Sequence, residues 1–233
     1  MEKLKVLITG ATGSIGEAIV KEYSKNGYFV YIHYHSNITK AKALLAEIQE
    51  GELITFDISN KESIKNALEN LKVDVLINNA GIIQDNLFFF MEDTQWEDVI
   101  NVNLNSNFYI TKLISKHMIM NKKGSIVNVA SVSGLCGNAG QANYSASKGG
   151  VIALTKTLAI ELGRYNIRVN AIAPGIIQSA MIENIPNIQD LKKSIPLKRF
   201  GTSEEVAKCA YFIGADATYV SGEVLNISGA MVR

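Results

Sequence analysis

Seven short runs dense in Val, Ile and Leu, set apart by longer amphipathic stretches, restrict this chain to very few architectures. The runs are Lys5 to Thr9, Phe29 to Tyr34, Leu53 to Asp57, Val73 to Asn78, Gly124 to Ser131, Ile167 to Ala173 and Glu223 to Ile227. They show little polar alternation, which is how strands read when both faces are buried, as in a parallel sheet covered by helices on each side. The expected class is therefore α/β, a doubly wound parallel sheet of about seven strands flanked by helices. A chain of 233 residues is long enough for one well-buried core, and no linker, repeat or low-complexity tract divides it. One domain over residues 1–233 is expected.

The stretches between the runs carry helix-boundary signals. Ser59 with Glu62, Thr94 with Glu97 and Thr202 with Glu205 have capping-box spacing, and Gly27 closes a helix that begins near Ile15. The least regular stretch, Gly175 to Gly201, holds two of the three prolines and suits a lid over a site. With 23 basic against 22 acidic residues, a formal charge of +1 and no block of like charge, neither nucleic acid nor a membrane surface is an expected partner. The start, Met1-Glu2-Lys3-Leu4, enters the first strand without the basic and apolar regions of a leader. The longest uncharged stretch, Ser125 to Ser147, is too rich in Gly, Ser and Asn for a membrane span. A cytoplasmic protein is expected, with Cys136 and Cys209 as free thiols and no metal-ligand spacing around them.

Thr9-Gly10-Ala11-Thr12-Gly13-Ser14-Ile15-Gly16 joins the first strand to the first helix. Backbone N–H groups and a helix dipole make an anion site there, suited to a pyrophosphate, although a plain strand-to-helix turn has the same look. Asn78-Asn79-Ala80-Gly81 follows the fourth strand, where small and amide residues let a flat ligand approach the backbone. Asp57 closes the third strand, as an acceptor for an adenine amino group or as a helix cap. All of these fall on the carboxyl edge where open α/β sheets bind ligands. An acid at the end of the second strand grips the ribose hydroxyls of NAD and repels a 2'-phosphate. This chain has His33-Tyr34-His35-Ser36-Asn37 there, and His35, Ser36, Asn37 and Lys40 are candidate phosphate ligands. That favours NADP(H) over NAD(H).

Tyr144 and Lys148 open a long helical pattern, and their spacing of four sets them one turn apart on one face. A phenol with a pKa of about 10 is a poor proton-transfer group near neutrality unless a neighbouring cation stabilises its anion, and Lys148 is placed to be that cation. Ser131 ends the fifth strand, where its hydroxyl can hold a substrate oxygen, and Asn103 is a buried polar residue suited to anchoring a water. Each has a plain alternative: a solvated Tyr/Lys pair, a helix or turn cap, a local backbone contact.

Taken together these residues resemble the short-chain dehydrogenase/reductase family, from Thr9 to the end of the chain, with its Rossmann-type sheet. The resemblance implies a catalytic tetrad of Asn103, Ser131, Tyr144 and Lys148, with Asn79 and Asn128 on the cofactor side. It implies further cofactor contacts from Ile58, Ala80 and Gly81, and from Pro174, Gly175 and Ile177, with Ser179 standing where the family usually has Thr. Within the family the chain is most similar to the 3-oxoacyl-[acyl carrier protein] reductases. The strings that carry this are Gly81 to Leu87, Gly140 to Tyr144, Ala173 to Ile177 and Ile195 to Gly201. This implies an acyl carrier protein-bound substrate in fatty acid synthesis, met by Ser131, Gln141 and Tyr144, with Lys122, Lys123 and Arg164 offering charge to the carrier. The family also implies a homotetramer built through Gln95 to Asn121 and Tyr144 to Tyr165, whose row Val151, Leu154, Leu158 and Leu162 faces either a partner or the sheet. Departures are Ser14 at the family's middle glycine, Gly13 where NADPH users often carry Arg, Ala180 where Asp is frequent and Ala230 in place of a second glycine after Gly229. The competing activities are a dehydrogenase of a sugar, polyol or small ketone, and a cofactor-binding regulator without turnover.

Overall fold

The computed structural model describes residues 3–178 and 188–232. Strands β1 (Lys5–Ile8), β2 (Phe29–Tyr34), β3 (Gly51–Thr55), β4 (Val75–Asn78), β5 (Gly124–Val129), β6 (Ile167–Pro174) and β7 (Val224–Ile227) form one parallel sheet in the order β3-β2-β1-β4-β5-β6-β7. The sheet is the expected doubly wound one, and its order reverses between β1 and β4, which opens a crevice at the carboxyl edge. Register sets the strand ends level there: Ile8 lies beside Ile32 on one side and Ile77 on the other.

Alternate residues of each strand enter opposite cores. Val6, Ile8, Val30, Ile32, Val75, Ile77 and Val127 pack with α1 (Ser14–Lys25), α2 (Ile38–Ala46) and α9 (Ser203–Tyr211). Leu7, Leu76, Ile126 and Val169 pack with α3 (Lys61–Leu68), α5 (Ser106–Asn121) and α7 (Ala142–Gly163). Short helices α4 (Asp93–Ile100), α6 (Ser133–Cys136) and α8 (Ile188–Ser194) complete the chain. None of the described helices is long and apolar enough to cross a membrane.

Several local expectations shift. The third strand begins at Gly51, opposite Val30, rather than at Leu53. The cap of α3 is Asn60, which accepts from Glu62 and Ser63 N–H, not Ser59. The capping box of α4 pairs Glu92 with Gln95, not Thr94 with Glu97, because the chain enters the helix two residues earlier. Thr202 with Glu205 does form its box, and Gly27 follows α1 at φ +83°. The single helix expected over Gln95 to Asn121 is interrupted by a π-helical turn, Asn101–Asn105. The row on α7 turns inward: Val151 and Leu162 are buried, with Leu154 and Leu158 half-buried beside them. Cys136 and Cys209 are free thiols.

Candidate active site

A cleft of about 390 Å³ opens over the glycine turn, walled by Gly10, Thr12, Gly13, Ser14, Ile15, Gly16, His33, His35, Ile58, Asn79, Ala80, Gly81, Ile82 and Val102. The turn is held from both sides. The Asn79 amide donates to the carbonyls of Thr9 and Gly10, each at 3.0 Å, while Thr9 Oγ1 accepts from the Asn79 and Ala80 N–H groups. At Gly10 (φ +60°) a Cβ would stand 2.7 Å from Ala80 Cα, and at Gly16 it would run into the Gly10 carbonyl oxygen. The wall is therefore bare main chain at the start of a helix, a fit for a pyrophosphate.

The second-strand residues separate. His35 lies on the cleft wall, whereas Ser36, Asn37 and Asp57 are not among the residues that form it. Asn37 caps α2, its oxygen accepting from Lys40 N–H at 2.9 Å. Lys40 Nζ sits 3.4 Å from the Glu17 carboxylate, which removes it as a free phosphate ligand. Asp57 Oδ1 accepts from the amide and hydroxyl of Ser59, which hold the carboxyl below the usual range and form the turn after β3.

Asn103 lies in the π turn. Its oxygen accepts from Ile82 N–H at 2.8 Å, and its amide donates to Ile82 O and to Ser147 Oγ. Ser147 in turn donates to the Tyr144 carbonyl, so the π turn is coupled to the first turn of α7. Asn143, fully buried, adds a second anchor: its amide donates to the Gln84 and Gln95 carbonyls, and its oxygen accepts from Tyr144 N–H at 2.7 Å. The sequence alone assigns no role to Ser147 or Asn143, because a polar residue within a helical pattern does not reveal its partners.

Burial pushes the Tyr144 phenol up, a hydrogen bond to Ser131 pulls it back, and the Asp85 carboxylate adds to the rise. This net direction is opposite to the expected one, burial being its largest cause. Lys148 is buried, donates to Val129 O at 2.7 Å and lies 5.7 Å from the Tyr144 ring centre; burial lowers it to about 8. Asn128 is also reassigned. It is fully buried between Asn78 and Thr155, as part of the sheet-to-helix packing rather than the cofactor wall.

A second cavity, about 460 Å³, adjoins Tyr144 on the other side. Ser131, Gln141 and Tyr144, the expected substrate contacts, line it, and so do Gly175 and Ile177, which the resemblance assigns to the cofactor, together with Ile83, Asp85, Cys136, Leu191 and Met231. Pro174 ends β6 just behind Gly175. Ser179 and Ala180 lie outside the described residues, as do residues 181–187 of the stretch read as a lid. Lys122, Lys123 and Arg164 precede β5 and β6, at the amino edge. They stand a strand length, about 20 Å, from the cavity mouth.

A sequence model of the short chain dehydrogenase family matches residues 4–190. A 3-oxoacyl-[acyl-carrier-protein] reductase of Synechocystis sp. is 42% identical over 237 residues, covering 97% of this chain and 96% of that one. A second protein of that name, from Thermotoga maritima, is 41% identical over 240 residues with the same coverage. Nodulation protein G of Rhizobium meliloti is 40% identical over 236 residues, again at 97% and 96%.

Proposed function

The chain belongs to the short-chain dehydrogenase family, an oxidoreductase of C=O and CH–OH groups, and we propose that it reduces a 3-oxoacyl thioester on acyl carrier protein, in the cytoplasm, using NADPH. Both sites belong to one domain that spans the chain. The observation that carries the reading is Tyr144 beside Ser131 on the second cavity, with Lys148 one turn along α7 and the glycine-turn cleft at the same carboxyl edge of the sheet. The names of the relatives, alike over nearly the whole chain, support the acyl substrate. NADPH is favoured over NADH because the second strand ends without an acid and His35 stands on the wall.

The glycine turn and Asn79 would hold the dinucleotide, with Gly175 and Ile177 at its far end. When bound, the cofactor supplies a hydride for the carbonyl carbon. Ser131 Oγ and Tyr144 Oη hold the carbonyl oxygen. Burial keeps the phenol protonated near neutral pH, so Tyr144 gives its proton to that oxygen as negative charge develops on it. The Lys148 side chain, fixed on Val129 O, places a proton-bearing nitrogen behind the phenol and against the cofactor cleft. Ser147 and Asn143 fix the helical turn that carries the phenol.

The chain assembles as a homotetramer in this reading, and Phe108 on α5 and Ile160 on α7, 44% and 83% exposed, are apolar side chains that the two expected interface helices offer to a partner copy.

The deciding assay follows NADPH and NADH oxidation separately with an acetoacetyl thioester and a panel of sugars and small ketones. Preference for the thioester with NADPH is expected. Faster turnover of a sugar or polyol overturns the substrate, and tight cofactor binding with no turnover of any carbonyl overturns the enzyme.

A further inference from the structure

His33 was read from sequence only as part of the second strand, yet it is 2% exposed and stands on the cleft wall. Its Nδ1 accepts from the Gly10 N–H at 3.0 Å, and its Nε2 lies 3.1 Å from the carbonyl oxygen of Phe56. An amide N–H cannot accept, so the ring proton is on Nε2 and donates to Phe56. The ring is further held over Phe56, with centres 4.0 Å apart. The backbone carbonyl of the same residue accepts from Ala11 N–H at 3.0 Å. His33 therefore ties down the Gly10 and Ala11 amides of the turn after β1 and joins them to Phe56, just past the end of β3.

We infer that His33 is a positioning residue for the cofactor, its imidazole holding Gly10 in the conformation that aims the glycine turn's N–H groups into the cleft. The inference rests on the dinucleotide reading of that cleft. Gly10 is the hub of the turn: its carbonyl accepts from Gly13 N–H and from the Asn79 amide, and Gly16 packs against it. Asn79 secures the carbonyl side of Gly10, and His33 secures the N–H side. Removing the imidazole acceptor leaves a partly buried N–H without its partner, and the peptide at Gly10 then rotates to find another.

The test compares wild type with His33→Phe, which keeps a flat ring but offers no acceptor, and His33→Asn, whose Oδ1 reaches about where Nδ1 stands. NADPH affinity is measured by calorimetry, with kcat, KM for each substrate and Tm alongside. The Phe variant should bind NADPH about tenfold more weakly and raise its KM, with kcat at saturating cofactor nearly unchanged. The Asn variant should recover most of the affinity although it gives up the bond to Phe56. Wild-type affinity in the Phe variant overturns the inference, and so does equal weakening in both variants with a matching fall in Tm, which is a packing role alone. If the Phe variant does not fold, a tenfold loss in the Asn variant overturns it. Failure of wild type to bind any nicotinamide nucleotide is a different result, which removes the cofactor reading and this inference with it.

Discussion

The two sides of Tyr144 are built in opposite ways. On the cofactor side the wall centres on the main chain of the glycine turn, and Thr9, His33 and Asn79 brace it with their polar atoms paired. On the substrate side the wall is side chain, and loops are joined across it by partly exposed polar contacts: Gln141 accepts from Ser133 and Asn138 and donates to Asp85. A wall of main chain demands particular small residues at fixed spacing and recognises what all dinucleotides share. A wall of side chains leaves few fixed spacings and sets which acyl group fits.

The strongest test of that division is Tyr144→Phe, at the seam. The ring is retained while the transferable proton is lost, so kcat should fall about 100-fold or more with NADPH affinity within about threefold of wild type. Retention of a tenth of the turnover removes Tyr144 from proton transfer, and a parallel collapse of cofactor binding shows that the two sides are one unit. A second test asks which side fails first in acid. Burial lowers His33 from 6.5 to about 4, with His35 nearby opposing its charge. Between those values the unfolded chain holds more protons than the folded one. Stability is therefore full above pH 6.5 and falls as pH drops through 4, by about 3 kcal/mol from this residue. Urea unfolding across that range should show the loss in wild type and a smaller one in His33→Asn; equal losses place the acid sensitivity elsewhere.

The same contrast explains what the sequence could reveal. The seven strands, the glycine turn and the spacing of Tyr144 and Lys148 are visible because parallel-sheet burial and one-turn spacing leave strict periods in the chain. Asn103 was visible by its type, but not the π turn that swings it onto Ile82, since a one-residue bulge leaves helical periodicity nearly intact. His33 and Asn143 were invisible because a buried polar residue is defined by partners 23 and about 50 positions away. The direction of the Tyr144 shift was misjudged for a related reason: sequence shows the neighbouring cation, and only the fold shows the burial that outweighs it. Phe88 to Phe90, read within no element, emerge as an exposed three-residue turn.

On the cofactor side, His35→Asp sharpens the comparison. His35 stands on the wall and is exposed, so a carboxylate there repels a 2'-phosphate without disturbing the turn. The ratio of NADPH to NADH efficiency should shift about tenfold toward NADH, read from kcat/KM for each, with KM for the carbonyl substrate unchanged. A wild type that already prefers NADH removes the reading of the second strand.

The smallest effect is expected on the substrate side, from Gln141→Leu. The leucine matches the bulk of the glutamine but can bond neither to Ser133 nor to Asp85, which the native amide joins at 2.9 Å each. These contacts are partly exposed, so each contributes about 1 kcal/mol or less. The main-chain pairing of Asn86 N–H with Gly140 O, at 2.9 Å, still links the same two loops. The cavity should therefore loosen rather than collapse. KM for the acyl thioester should rise about threefold to tenfold, while NADPH affinity and the Tyr144-dependent limb of the pH–kcat profile stay as in wild type. If cofactor affinity falls as well, the loops across the substrate cavity also brace the glycine turn, and the two walls are not independent. If the acyl KM does not move, Ile83, Leu191 and Met231 shape the cavity without help from the Gln141 bridge.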